Sequence, residues 1–207
     1  MPQPARFTRR ALLCAALVRA RLLTTEAAAM QPNLISSAQD CDLRAGVQPG
    51  SQSFTLGYEF RNRSPRTAFL FNRVARQNAA GRLEPNEANV YITVSGATVI
   101  LAKKIIPVPA DRDVEKPEVP YVTRVDSGQV FREKFDIPLP LKPWTPYPGR
   151  APQPGFELEA WFELGFFLAP DPTIARESGE NLIIYPFPVE KQQILRAGPL
   201  GRFRIGG

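Results

Sequence analysis

The 207-residue chain has no histidine and only two cysteines, Cys14 and Cys41. Without an imidazole titrating near neutrality, Ser-His-Asp and Cys-His nucleophile systems and His-ligated zinc are excluded. Other signatures of chemistry are missing as well: the chain holds no G-x-S-x-G elbow, no S-x-x-K, no P-loop and no G-x-G-x-x-G. These gaps leave no cofactor and no metal to expect. No stretch approaches the ~20 apolar residues that cross a bilayer as a helix, so no transmembrane segment is expected.

What the chain has in excess is proline. There are 22, roughly twice the usual share, and each lacks the N–H that a helix interior requires. Long helical bundles are therefore disfavoured and an all-β fold is expected. Hydrophobic residues make up 43% and charged residues 22% of the chain, a balance that excludes global disorder. The formal charge is +6, but residues 1–30 hold Arg6, Arg9, Arg10, Arg19 and Arg21 against Glu26 alone. The remaining body is nearly neutral, which removes the usual reason to infer nucleic acid from a basic chain.

Thr8-Arg9-Arg10-Ala11-Leu12-Leu13, the apolar run to Val18 and Ala27-Ala28-Ala29 fit a twin-arginine export signal with a small-residue cleavage site. Arg19 and Arg21 shorten its apolar region. The competing readings of residues 1–30 are a start-site artefact, with Met30 as the initiator and a cytoplasmic product, and an amphipathic or transit-type segment. The first two would both remove Cys14, so Cys41 is expected to be a lone thiol.

Residues 31–207 are expected to form one domain. Period-two alternation begins after Gly50, with Phe54, Leu56, Tyr58 and Phe60 on one face of a strand. Asn62-Arg63-Ser64-Pro65 supplies a turn and Thr67 to Val74 a second strand, whose Phe69-Leu70-Phe71 run suggests that both faces are covered or that one meets a partner. Asn89–Val94 and Thr98–Ile106 flank Ser95-Gly96-Ala97 as a hairpin, and Tyr121–Val125 and Val130–Ile137 flank Asp126-Ser127-Gly128 as another. Phe156 to Leu168 alternates over thirteen residues and is the clearest strand. Asn181–Phe187 and Leu200–Ile205 follow as strands, with short helical turns expected within Thr173–Gly179 or Glu190–Ala197. The expected fold is an antiparallel immunoglobulin-like β-sandwich of about 7–9 strands. Eleven of the prolines lie between Pro107 and Pro154, and Pro138–Pro154, carrying Trp144 and Tyr147, reads as a stiff crossover packed on the sandwich or presented to a partner.

The candidate partner-binding residues are Arg61, Arg63, Arg66, Arg73 and Arg76, with Trp144 and Tyr147. The arginines, together with Arg82, lie between Phe60 and Leu83 with no carboxylate among them. Clustered guanidinium groups bind carboxylates and phosphates in bidentate fashion. A charged edge that suppresses aggregation explains the same cluster. No RRM, KH or OB signature accompanies it, which argues against nucleic acid and for another protein as the partner.

Glu157, Glu159 and Glu163 share a strand face at a spacing near that of a glycosidase pair. Catalytic carboxylates more often project from different elements into a cleft, so a carboxylate-type hydrolase is a remote reading. Asp111, Asp113 and Glu115 resemble cation ligands but fail as an EF-hand loop, with Lys116 in the glycine position and Val122 in the final glutamate position. Trp144, Tyr147 and Trp161 also allow a carbohydrate- or small-ligand-binding sandwich.

Tyr58-Glu59-Phe60, then Asn62-x-Ser64, then an apolar strand, with Asp126-Ser127-Gly128 before another, resembles immunoglobulin-like accessory domains and intracellular proteinase inhibitors of that fold. The likeness covers about half of the body and implies the fold alone. The sequence-based expectation is a non-enzymatic binding protein.

Overall fold

The structure, a computed structural model, describes residues 33–38, 40–113, 119–147, 155–187 and 189–206. The described chain is all-β. Its strands are β1 (Asn33–Ala38), β2 (Cys41–Pro49), β3 (Ser53–Asn62), β4 (Thr67–Gln77), β5 (Leu83–Asn86), β6 (Tyr91–Ser95) and β7 (Thr98–Lys103). They continue as β8 (Tyr121–Val125), β9 (Val130–Pro138), β10 (Glu157–Ala169), β11 (Arg176–Ser178), β12 (Asn181–Ile183) and β13 (Gln193–Arg204). Three-residue 3-10 turns occupy Pro172–Ile174 and Val189–Lys191. Residues 1–30, Glu115 and Pro148–Pro154 lie outside the described residues.

One sheet has the order β1-β2-β3-β9, and the other runs β11-β12-β8-β4-β10-β7-β6, with β13 added on β10 and β5 on β4. The sheets share one core. Leu43, Leu56, Phe60, Phe135 and Ile137 of the first pack with Leu70, Leu101, Ala160, Leu164 and Leu195 of the second. Ring contacts cross between them, Tyr58 to Phe162 at 5.0 Å and Phe60 to Phe166 at 5.4 Å between centroids. β10 organises the larger sheet, pairing with β13, β4 and β7 along its thirteen residues. Its alternation buries Ala160, Phe162, Leu164, Phe166 and Leu168, as the pattern predicts. Phe69, Leu70 and Phe71 are all buried, because a second apolar layer of Ile184, Leu182 and Phe187 covers the far face of β4.

Several expectations are corrected. The described strands number thirteen rather than 7–9, since short ladders such as β11 and β12 carry too few residues to show a period. Pairing is not wholly antiparallel: β7 runs parallel to β10 from Thr98↔Glu159 to Lys103↔Leu164. Alternation begins before Gly50, in β2, where Cys41, Leu43 and Ala45 are buried between Asp42, Arg44 and Gly46. Two of these inward residues are small and weakly apolar, which hides the period. The later strands also shift, β12 ending at Ile183 and β13 starting at Gln193. A bulge lets β13 pass Trp161: Gly198 has φ +150°, and a Cβ there would stand 2.9 Å from the indole.

The largest correction concerns two turns. β3 pairs with β2 and β9 in one sheet, whereas β4 pairs with β10, β8 and β5. The turn at Asn62–Pro65 is therefore a corner between sheets. Asp126-Ser127-Gly128 is likewise a corner, because β8 and β9 also belong to different sheets. Only Ser95-Gly96-Ala97 closes the hairpin expected of it, between β6 and β7.

Buried Asn62 locks the two corners together. Its Nδ2 donates to the carbonyls of Arg66 (2.8 Å) and Val125 (3.0 Å), and its Oδ1 accepts from the Ser64 N–H (3.0 Å) and hydroxyl (2.8 Å). The Gly128 N–H donates to the Asn62 carbonyl at 2.9 Å, and the Ser127 hydroxyl to that of Ser64 at 2.7 Å.

Candidate functional site

The described part of the proline-rich segment is packed on the body. The Leu139 N–H donates to the Gln52 carbonyl at 2.8 Å and the Leu141 N–H to that of Arg204 at 2.9 Å. Trp144 and Ile92 exchange both backbone hydrogen bonds at 2.9 Å, so the segment adds one rung to the outer edge of β6. Between it, the end of β9 and residues 88–92 opens a cleft of about 500 Å³. Asp136, Ile137, Lys142 and Trp144 line it together with Arg76 and Asn89.

Two of the sequence candidates meet here. The Arg76 guanidinium lies 5.0 Å from the Trp144 ring centroid, and the same indole stacks on buried Tyr91 at 5.1 Å. A guanidinium on an indole is attracted by the ring quadrupole and is held in place for a carboxylate. Lys142, exposed on the rim, adds a second cation. Beside the cleft, β9 pairs only with β3 among the described residues, leaving its outer backbone edge open.

The other candidates lie elsewhere. Arg61, Arg63 and Arg66 are exposed around the first corner. Arg61 lies 4.0 Å from Glu59, and Arg63 pairs with Asp42. β4 separates Arg66 from Arg76 by ten residues, about 33 Å of strand, so the arginines do not form one patch. Tyr147 lines a separate apolar cavity of about 170 Å³ with Ile105, Tyr185 and Phe187. Glu163 is engaged by Lys104 (2.6 Å) and Arg196 (3.8 Å), while Glu159 accepts the Trp161 indole N–H at 2.9 Å. Arg196 also covers the Trp161 ring at 4.7 Å. Among the described residues no group of three or more His, Cys, Asp or Glu could hold a metal ion, and no helix is long and apolar enough to cross a membrane.

One polar cluster was not anticipated from the sequence. Lys103 (0% exposed) reaches between the sheets to Glu133 of β9 at 2.6 Å. It also donates to the carbonyls of Glu87 (2.5 Å) and Asn72 (3.3 Å), and its ammonium stands 4.0 Å from the Phe135 centroid. The same Glu133 carboxylate accepts from the Tyr58 hydroxyl (2.8 Å), the Asn72 amide (3.3 Å) and Arg73 (3.1 Å). Arg73 is therefore turned inward, bonding also to exposed Glu87 at 2.8 Å. Desolvation lowers the Lys103 pKa to about 8 despite Glu133, and desolvation first, then Glu133, raises Tyr58 well above its ordinary value.

A signal for this cluster exists in strand parity. Lys103 follows Val99 and Leu101 on the core-facing side of β7, Asn72 follows Ala68 and Leu70 on β4, and Glu133 lies between Phe131 and Phe135 on β9. Each is a polar residue at a position whose period-two partners are apolar. No protein-family model, curated protein or solved structure matches this chain.

Proposed function

We propose that the chain is a non-enzymatic binding domain of immunoglobulin-like sandwich architecture, and that its partner is another protein presenting an acidic, extended segment. One observation carries this reading: Arg76, Lys142 and Trp144 converge on a single cleft beside the open edge of β9. An open edge offers backbone groups to an added strand, and the two cations select carboxylates along it. The tryptophans favour a protein over a sugar, since Trp144 and Trp161 each already carry a guanidinium near the ring. Glu159 and Glu163 of β10 are engaged in pairings rather than aimed together into a cleft, which supports a binding role over hydrolysis.

The test uses a fluorescent oligoglutamate peptide and the full chain, with oligolysine as the control. Binding is expected for the acidic peptide only and should weaken steeply between low and physiological salt. Arg76→Gln and Lys142→Gln should each reduce affinity about twofold to fivefold, the range of exposed ion pairs. Affinity indifferent to salt and to both substitutions would overturn the proposal.

A further inference from the structure

The cluster around Glu133 poses a question that binding does not answer. A structural ion pair accounts for Lys103 and Glu133, but not for Asn72, which is fully buried and whose Oδ1 has no hydrogen-bond partner. An orphaned buried acceptor is rare and costly. It belongs to a carboxamide whose nitrogen is already on Glu133 Oε1 while the Lys103 amine is on Oε2. A single carboxylate thus holds a primary amine and a primary amide side by side. The amine also stands 3.3 Å from the backbone carbonyl of Asn72 itself.

We propose that Lys103 and Asn72 become joined by an intramolecular isopeptide bond, formed without an external enzyme and with Glu133 as the proton carrier.

The chemistry balances within these three side chains. The Lys103 ammonium passes a proton to Glu133 across their 2.6 Å contact, leaving a neutral amine and a carboxylic acid. Turning the Asn72 amide about its terminal torsion, which exchanges two atoms of nearly equal shape, and the protonated Glu133 carboxyl about its own, which carries the proton from Oε2 to the Oε1 position, brings the orphaned Oδ1 onto the acid's proton. That hydrogen bond polarises the carbonyl. Nζ attacks Cγ, the Nζ–Cγ bond forms, and the Cγ–Nδ2 bond breaks as the departing nitrogen takes a second proton from the former ammonium. Ammonia leaves, the new amide keeps one N–H, and no oxidant or cofactor is consumed.

Burial favours each stage. Desolvation brings Lys103 down to about 8, so the nucleophilic neutral amine is accessible near neutrality. Reactive groups fixed on two strands of one sheet, both paired with β10, act at high effective concentration. Exclusion of water protects the product from hydrolysis, and the reaction replaces a buried ammonium by a neutral amide, relieving its desolvation. Half-buried Arg73 pairs with exposed Glu87, so the cluster lies close to the solvent into which ammonia would leave. The resulting cross-link would tie β4 to β7 at the irregularity between Leu70 and Arg73 in the pairing of β4 with β8.

The full-length protein, purified and denatured, is digested and mapped by mass spectrometry. The expected result is one branched peptide that joins the Asn72 and Lys103 segments and is lighter than their sum by one ammonia. In Glu133→Gln the two segments should be found separate, with a circular dichroism spectrum that matches the wild type. Recovery of both segments unlinked from the wild type would overturn the proposal, and equal linkage in Glu133→Gln would overturn the role of Glu133. Should that variant fail to fold, the wild-type map alone decides whether the bond exists.

Discussion

Replacing Asn62 by alanine tests whether the two chain corners are held as described. The substitution removes two donations, to the carbonyls of Arg66 and Val125, and three acceptances, two from Ser64 and a weak one from the Cys41 thiol. The Arg66 carbonyl keeps the Ser64 hydroxyl at 2.9 Å, so the loss falls mainly on the Ser64 N–H and the Val125 carbonyl. Leaving a buried polar group unsatisfied costs about 1–3 kcal/mol, which for two groups puts Asn62→Ala at about 2–6 kcal/mol. That is a large share of a typical net stability of about 5–15 kcal/mol. With a urea slope of about 2–3 kcal/mol/M, the unfolding midpoint should fall by about 1–2 M. Asn78→Ala is the control. Asn78 also uses both ends of its amide, accepting from the Ala80 and Arg82 N–H groups and donating to Glu84, but in an exposed loop where water can substitute. Its effect should stay below about 1 kcal/mol. Equal midpoints for the two variants would refute the view that burial at the corner, rather than the number of bonds, sets the cost.

Two further outcomes are expected. Phe162→Ala should cost about 3–5 kcal/mol, because the ring is fully buried against Tyr58, whereas Glu159→Ala should cost no more than about 1.5 kcal/mol for the lost Trp161 bond; equal small values in chemical denaturation would show that the register of β10 is wrong. Cys41 is buried, and desolvation followed by Asp40 raises its thiol to about 12 from 9.0. At pH 9 about a thousandth of the native thiol is ionised against half in the unfolded chain, so iodoacetamide labelling of the Cys41 peptide should track unfolding; fast labelling of the native protein would contradict the burial.

What could be read from the sequence, and what could not, follows from the reach of each signal. Alternation is local, so the faces of β3 and β10 are legible: Phe54, Leu56, Tyr58 and Phe60 point into the core, as do Ala160 to Leu168. Pairing is not local. Asn62-Arg63-Ser64-Pro65 has the composition of a hairpin turn, yet Asn62 spends its side chain on Val125, 63 residues away, and the chain crosses to the other sheet. The hairpin at Gly96 is legible because its two-residue loop leaves the strands no alternative to pairing with each other. The parallel β7–β10 pair joins segments separated by the whole proline-rich stretch, and nothing local announces it.

The candidate site divides along the same line. Counting charge along the chain draws attention to Arg61 through Arg82, but a strand spreads such a run over tens of ångströms, and only Arg76 reaches Trp144. Lys103, Asn72 and Glu133 attract no attention in a linear scan, being 31 and 30 residues apart with no motif around them. They stand out only when each strand's parity is fixed first and polar residues on its apolar face are then sought. Burying an amine and a carboxylate is expensive, whereas apolar side chains at Lys103 and Glu133 would fill the same space without that expense. The sequence therefore marks this cluster by placing polar groups where the fold asks for apolar ones. A chemical use for those groups, forming a covalent bond between β4 and β7, is a reason for the chain to bear that cost.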